Sequence, residues 1–302
     1  MTTPTGTLTP DVRHKKPFQA GIIAYRGGKA FLAHHIIDLF PPHTRYIEPF
    51  FGAGHVFFAK PHVPYEVVND LDRAVTVFFQ QLRDQPAELI AQLWATPYSR
   101  EEFAIALQEA DNLSPLEEAR AFFIRQNQGF AGSANSVGDW GMGHEVINGQ
   151  PEPVARWQGR IVRLAEATKR LRNTIIEHDE AERVIKRFAT PNSLIYCDPP
   201  YVPETRTKKD YRHEMTMDDH AQLLDLLNAT NAMIVLSGYD NPLYRDALQG
   251  WDCTQFAVPA HSAGRVKRRK GKASPYRTEC LWRNPQTMDA IAEQRSLWEV
   301  AS

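Results

Sequence analysis

The chain has 302 residues and 42% hydrophobic content, enough to bury a large core as one big domain or two smaller ones. Its 35 basic and 36 acidic side chains leave a formal charge of −1, so total charge singles out no polyanionic partner, and no apolar run nears the roughly 20 residues that span a bilayer. Cys197, Cys253 and Cys280 form no C-x-x-C pair and residues 1–9 lack the parts of an export signal, which argues against a disulfide framework, a cysteine zinc site and secretion, and for a reducing cytoplasm.

Along the chain, residues 31–39 suit a helix that stops before Pro41-Pro42. Tyr46-Ile47-Glu48-Pro49-Phe50-Phe51-Gly52-Ala53-Gly54 reads as a strand running into a glycine turn, with a helix over 55–60. Glycines at such a turn let a cofactor approach the backbone. Residues 65–70 form a second short strand ending at Asp70, 18 positions after Gly52, where Rossmann-type sites place the acid that holds ribose hydroxyls. The three glycines of a nicotinamide dehydrogenase are missing, so the fingerprint points to a nucleoside without a phosphate.

Beyond Asp70 the strand rhythm disappears. Residues 74–83, 86–94, 100–111, 115–128 and 154–171 look helical, and 129–149 is a Gly/Ser/Asn-rich loop holding Phe130, Trp140 and Met142. This stretch reads as a helical insert that recognises bases, or as a cap that only buries the cofactor. Strand character returns at 173–177, followed by Asp179, which is either a ligand group or an N-cap for a helix starting at Glu180. The apolar run 193–197 leads into Asp198-Pro199-Pro200-Tyr201. A helix over 217–229, a buried strand over 231–236, a helix over 241–248 and strands over 251–259 and 276–282 complete the pattern. Tyr239, after Ser237-Gly238 at a strand end, is either a wall of the site or a packed aromatic.

The tetrad carries the chemistry. An exocyclic amine on a flat base is a poor nucleophile because its lone pair is delocalised into the ring. The Asp198 carboxylate and the Pro199 carbonyl can each accept one amine hydrogen, favouring the pyramidal nitrogen of methyl transfer. Pro199 and Pro200 fix φ and hold that carbonyl, and Tyr201 offers a stacking face. The alternative is a strand-ending turn with a buried tyrosine. Charge is concentrated elsewhere: Arg265, Lys267, Arg268, Arg269, Lys270 and Lys272 put six basic residues in eight, and Arg206, Lys208, Lys209 and Arg212 follow the tetrad. Both stretches read as loops that contact phosphates.

These motifs resemble the Dam-like DNA adenine methyltransferases: Asp198-Pro199-Pro200-Tyr201, the Glu48-Pro49-Phe50 to Gly54 turn and Tyr25-Arg26-Gly27-Gly28-Lys29 occur in the family's α order. The resemblance spans about residues 22–283. It implies an α/β fold, a Rossmann-like S-adenosylmethionine-dependent methyltransferase sheet formed by a discontinuous catalytic domain (1–75 and 172–302), and an inserted mainly helical target-recognition domain (76–171). It implies base flipping, S-adenosylmethionine as donor with S-adenosylhomocysteine as product, and no metal. Double-stranded DNA is the expected partner of a monomer without an obligate protein partner, in bacterial cytoplasm or a phage-infected cell.

Position by position, the resemblance assigns catalysis to Asp198, Pro199, Pro200 and Tyr201. The donor falls to Tyr25, Gly28, Lys29, Glu48, Phe50, Gly52, Gly54, Asp70, Asp179 and Asp198. Arg125 joins the two basic loops as a DNA contact, but the chain departs from its relatives here. The family's Arg-x-x-[Phe/Tyr]-Asn-Gly segment reads Arg125-Gln126-Asn127-Gln128-Gly129-Phe130-Ala131-Gly132, with Ala131 for the asparagine and no arginine before Arg156. Bidentate arginine is the usual reader of guanine, so the GATC preference does not transfer, and a different or relaxed target is expected. The alternatives are methylation of the cytosine exocyclic amine, action on RNA, and a non-enzymatic DNA-binding protein on a methylase scaffold.

Overall fold

A computed structural model describes residues 21–25, 27–108, 112–130, 137–202, 214–259 and 276–301. In chain order it contains α1 (Ala33–Ile37), β1 (Arg45–Glu48), α2 (His55–Ala59) and β2 (Tyr65–Asn69). Four helices follow: α3 (Arg73–Asp84), α4 (Pro86–Ala95), α5 (Arg100–Leu107) and α6 (Pro115–Gln128). A small hairpin of β3 (Val146–Ile147) and β4 (Gln150–Pro151) precedes α7 (Glu152–Leu171), β5 (Thr174–Glu177), α8 (Ala181–Phe188) and β6 (Ser193–Cys197). The chain continues through α9 (Met217–Ala229), β7 (Met233–Tyr239), α10 (Pro242–Ala247), β8 (Asp252–Pro259), β9 (Tyr276–Arg283) and α11 (Pro285–Ala301).

The described residues fall into two compact units: Asp38–Pro49 with the described part of Ile185–Ser302, and the described parts of Pro17–Ile37 and Phe50–Val184. In the first, β1, β6 and β7 are parallel neighbours, β9 runs antiparallel to β7, and β8 antiparallel to β9. All five residues of β6 are buried, the signature of a parallel strand covered on both faces. Register sets Ile47 beside Ile195 and Cys197 beside Leu236, so the carboxyl ends of β1, β6 and β7 share one edge. That edge is where open α/β sheets bind ligands.

In the second unit β2 pairs in parallel with β5, α3 and α7 pack against β5, and α4, α5 and α6 join through α3, α6 and α7. An aromatic ladder holds it together. Phe51 of the glycine turn meets Phe79 of α3 with centroids 4.7 Å apart, Phe78 stacks on Phe123 of α6 at 5.6 Å, and Phe123 meets Trp157 of α7 at 5.2 Å. Such pairs add to plain area burial. The helices predicted as an insert therefore share a core with the glycine turn. A buried ionic trio fastens the base of β2: Glu66 Oε1 accepts from Lys60 Nζ and from Arg170 Nη2 of α7, each at 2.7 Å.

Local signals explain most ends. Asp72 caps α3, and Ser114 with Glu117 and Thr216 with Asp219 form capping boxes at α6 and α9. The loop read over 129–149 differs in containing β3. Asn148 (φ 52°) and Gly149 (φ 77°) make the left-handed hairpin turn that an Asn-Gly pair encodes, although the strands it joins have only two residues each. α11, with Pro285 in its first turn, was not foreseen.

Candidate active site

The first unit gathers carboxylates and phenols at the strand ends. Asp198 leaves β6, Glu48 closes β1, and Glu279 sits on β9 opposite Tyr239 of β7. Glu48 and Glu279 are 3% and 4% exposed, which for carboxylates demands partners. Tyr46 donates its hydroxyl to Glu48 Oε2 at 2.6 Å. The Tyr201 hydroxyl donates to Glu279 Oε1 and lies 3.3 Å from Asp198 Oδ1. Its ring is buried and meets Tyr239 edge-on, centroids 4.5 Å apart. Burial and the nearby negative charges of Asp198 and Glu279 hold the Tyr201 phenol well above its usual range. Tyr196 of β6 is bonded to Ser237 Oγ at 2.9 Å; burial and then Asp198, Glu48 and Glu279 push its phenol up as well.

The second unit forms the glycine turn. Gly52 (φ 49°) and Gly54 (φ 64°) both adopt the left-handed conformation that side chains resist. A Cβ on Gly52 would stand 3.0 Å from Tyr25 Cε1, so the Tyr25 ring covers this glycine. Asp70 fixes the turn: its Oδ2 accepts from the Gly52 N–H at 2.7 Å and its Oδ1 from the Asp72 N–H at 2.8 Å. Burial outweighs those two bonds and lifts its carboxyl to about 6. Each oxygen accepts one backbone hydrogen, and a carboxylate offers about four lone-pair sites, so capacity for hydroxyl donors remains. The donor set thus fits a nucleoside's ribose.

Around this turn, Asn69 and Asp179 join the ends of β2 and β5 reciprocally. Asn69 Nδ2 donates to the Asp179 carbonyl at 3.0 Å and the Asp179 N–H donates to Asn69 Oδ1 at 2.9 Å. The Asp179 side chain accepts from the adjacent Glu180 N–H at 2.9 Å, while α8 starts at Ala181 and the Glu180 carbonyl accepts its first helical bonds, so Asp179 precedes the cap position. The glycine pair at the start of this unit encloses a ring. A Cβ on Gly21 would be 2.5 Å from His55 Nε2, and one on Gly28 would be 2.6 Å from His55 Nδ1. Burial, with the charges of Lys29 and Arg160, lowers His55 to about 4, so it is neutral at pH 7. Lys29 is buried and donates to the Gly27 carbonyl at 3.2 Å. Asn127 Oδ1 accepts from the Ala24 N–H at 3.0 Å and from Arg160 Nη1 at 2.7 Å, tying this segment to α6 and α7.

Of the expected site residues, Glu48, Asp198, Pro199, Pro200 and Tyr201 lie in the first unit, and Tyr25, Gly28, Lys29, Phe50, Gly52, Gly54, Asp70 and Asp179 lie in the second. Arg125 lies in α6 and donates to the Ala106 carbonyl near the end of α5 at 2.8 Å. Lys208, Lys209, Arg265, Lys267, Arg268, Arg269, Lys270 and Lys272 lie outside the described residues. Sequence reasoning missed Glu279, His55, Asn69, Asn127 and Arg160. Glu279 had a weak signal, the lone acid of the strand Tyr276–Arg283; His55 and Asn127 had none, since their partners are distant in the chain. Among the described residues no cluster of ligating side chains suits a metal, and no helix is long and apolar enough to cross a membrane.

Comparison with known proteins addresses the family of the whole chain. The Type II methyltransferase M1.LlaDCHI of Lactococcus lactis subsp. cremoris is 28% identical over 72% of this chain and 81% of its own length. The DNA adenine methylase of Vibrio cholerae serotype O1 is 27% identical over 82% of this chain and 93% of its own. The DNA N-6-adenine-methyltransferase of Escherichia phage P1 is 26% identical over 78% of this chain, which spans 32% of that longer protein. The sequence profile of one family matches residues 25–261, a span that includes both glycine segments and the tetrad. The chain belongs to the D12 class N6 adenine-specific DNA methyltransferases, enzymes that use S-adenosylmethionine.

Proposed function

We propose that Asp198 and the Pro199 carbonyl hold the two N6 hydrogens of an adenine flipped from double-stranded DNA while Tyr201 packs against the base. The observation that carries this reading is the position of Asp198 at the carboxyl end of β6, with the Tyr201 hydroxyl 3.3 Å from its carboxylate. The two acceptors favour the pyramidal amine of the transition state. Flipping costs a few kcal/mol, offset by contacts to the base and the strand. S-adenosylmethionine supplies an electrophilic methyl group on sulfur. Asp70 accepts ribose hydroxyls, and Gly52 and Gly54 line the methionine end of the donor. Tyr25, Gly28, Lys29, Glu48, Phe50 and Asp179 complete the donor set. An adenine amine is the substrate the family favours over the cytosine amine.

The helices within 76–171 read the target, and Arg125, Lys208, Lys209, Arg265 and Lys267 to Lys272 contact phosphates. The protein acts on each strand as a monomer, with a target other than GATC or a relaxed one. The test incubates the purified chain with labelled S-adenosylmethionine and unmethylated genomic DNA, then digests the product and maps the methylated positions. Asp198→Ala should abolish N6-methyladenine formation while donor binding persists; normal turnover would discard the assignment. Neutralising Lys267 to Lys272 should flatten the salt dependence of DNA binding by roughly 0.9 per lost contact, and an unchanged slope would remove the phosphate role.

A further inference from the structure

We infer that Glu279 is a positioning residue for methyl transfer: it takes the Tyr201 hydroxyl hydrogen and so keeps that hydrogen off Asp198. This rests on the proposed role of Asp198 as amine acceptor. The edge of β1, β6 and β7 crowds three carboxylates, Glu48, Asp198 and Glu279, against buried phenols. A phenol has one hydrogen. Tyr46 gives its own to Glu48. Among the described contacts of Tyr201, Asp198 Oδ1 at 3.3 Å lies beyond the about 2.5–3.0 Å of a good O–H···O bond, whereas Glu279 is in direct contact. The phenol hydrogen therefore belongs to Glu279. Strand register fixes this choice, since Glu279 is paired with Tyr239, whose ring packs on Tyr201.

The consequence is chemical. A carboxylate that already accepts a charge-assisted hydrogen bond is a weaker acceptor for the next donor, and Asp198 must be a strong one when the amine turns pyramidal. Without the Glu279 charge, the Tyr201 hydroxyl turns to Asp198 and competes with the amine. A role confined to packing makes no such demand. It also makes no prediction that deleting a second polar group would help.

The experiment measures single-turnover methylation of unmethylated genomic DNA by the full chain, with donor affinity measured separately for each variant. Glu279→Gln and Glu279→Ala should slow methyl transfer about tenfold or more while the donor dissociation constant stays within about twofold. Tyr201→Phe keeps the ring and removes the competing hydroxyl. Placed in the Glu279→Ala or Glu279→Gln background, it should raise the rate several-fold above the Glu279 variant. Wild-type rates in Glu279→Gln, or a double variant slower than its Glu279 parent, would overturn the inference. Should Glu279→Ala not fold cooperatively, the Glu279→Gln pair carries the comparison. Substantial turnover by Asp198→Ala would instead overturn the reading on which the inference stands.

Discussion

Gly28→Ala should destabilise the protein through one identifiable collision. The new Cβ would lie 2.6 Å from His55 Nδ1 and 3.0 Å from the Tyr25 carbonyl. The ring has no room to retreat, because the Gly21 side of His55 is equally close, with Nε2 2.5 Å from where a Cβ would stand. Overpacking of this kind costs about 1–3 kcal/mol, and the double-sided confinement places the change at the upper end. His55→Ala alone should cost about 2 kcal/mol by leaving a cavity. Together the two changes should cost less than their sum by about 1–2 kcal/mol, because the added methyl enters the emptied space. The assay is urea unfolding of wild type, both single variants and the double variant at pH 7.5. Additivity within about 0.5 kcal/mol would refute the claim that His55 is the reason position 28 is glycine.

Three further outcomes follow from the same unit. Gly52→Ala forces a side chain into φ 49° and against Tyr25, so about 1–2 kcal/mol of strain should appear as lost stability in urea unfolding; wild-type stability would show that the left-handed turn carries no such cost. Glu66→Gln would leave Lys60 and Arg170 without their shared anion and should cost about 3–5 kcal/mol in chemical denaturation, whereas a loss under about 1 kcal/mol would show the trio to be dispensable. The pH dependence has two opposed parts. His55, lowered to about 4 from 6.5, contributes stability that is present above pH 6.5 and lost as pH falls toward 4. Asp70, raised to about 6 from 3.8, contributes stability that is present below pH 3.8 and lost as pH rises through 6. Unfolding free energies from urea titrations between pH 7 and 4 should therefore fall less for His55→Gln than for wild type, and more for Asp70→Asn, each by roughly 1–3 kcal/mol across the window; curves parallel to wild type would refute both shifts.

Much of the site was legible because it is local in sequence. Asp198-Pro199-Pro200-Tyr201 and the Glu48 to Gly54 turn each place their chemistry within a few residues of a strand end. The helices α3, α4 and α6 declared themselves by apolar spacing, with Asp72, Pro86 and Ser114-Pro115 at their respective starts. Asp179 could be read two ways because a short acid after a strand serves both a ligand and a cap, and its bond to the Glu180 N–H appears only in three dimensions. The β3 hairpin shows the opposite limit: Asn148-Gly149 carried the turn, but two-residue strands offer no periodicity to detect.

What the sequence determined by itself was the order of motifs, the α/β alternation and the residue types able to hold an amine and a nucleoside, since these depend on neighbours along the chain. Only the tertiary structure decided that Glu279 faces Tyr201 across 78 residues, that Asn127 binds Ala24 across 103, and that His55 fills the space left by Gly21 and Gly28. These contacts depend on strand register and helix packing, which arise from the summed burial of many distant side chains rather than from any short run of residues.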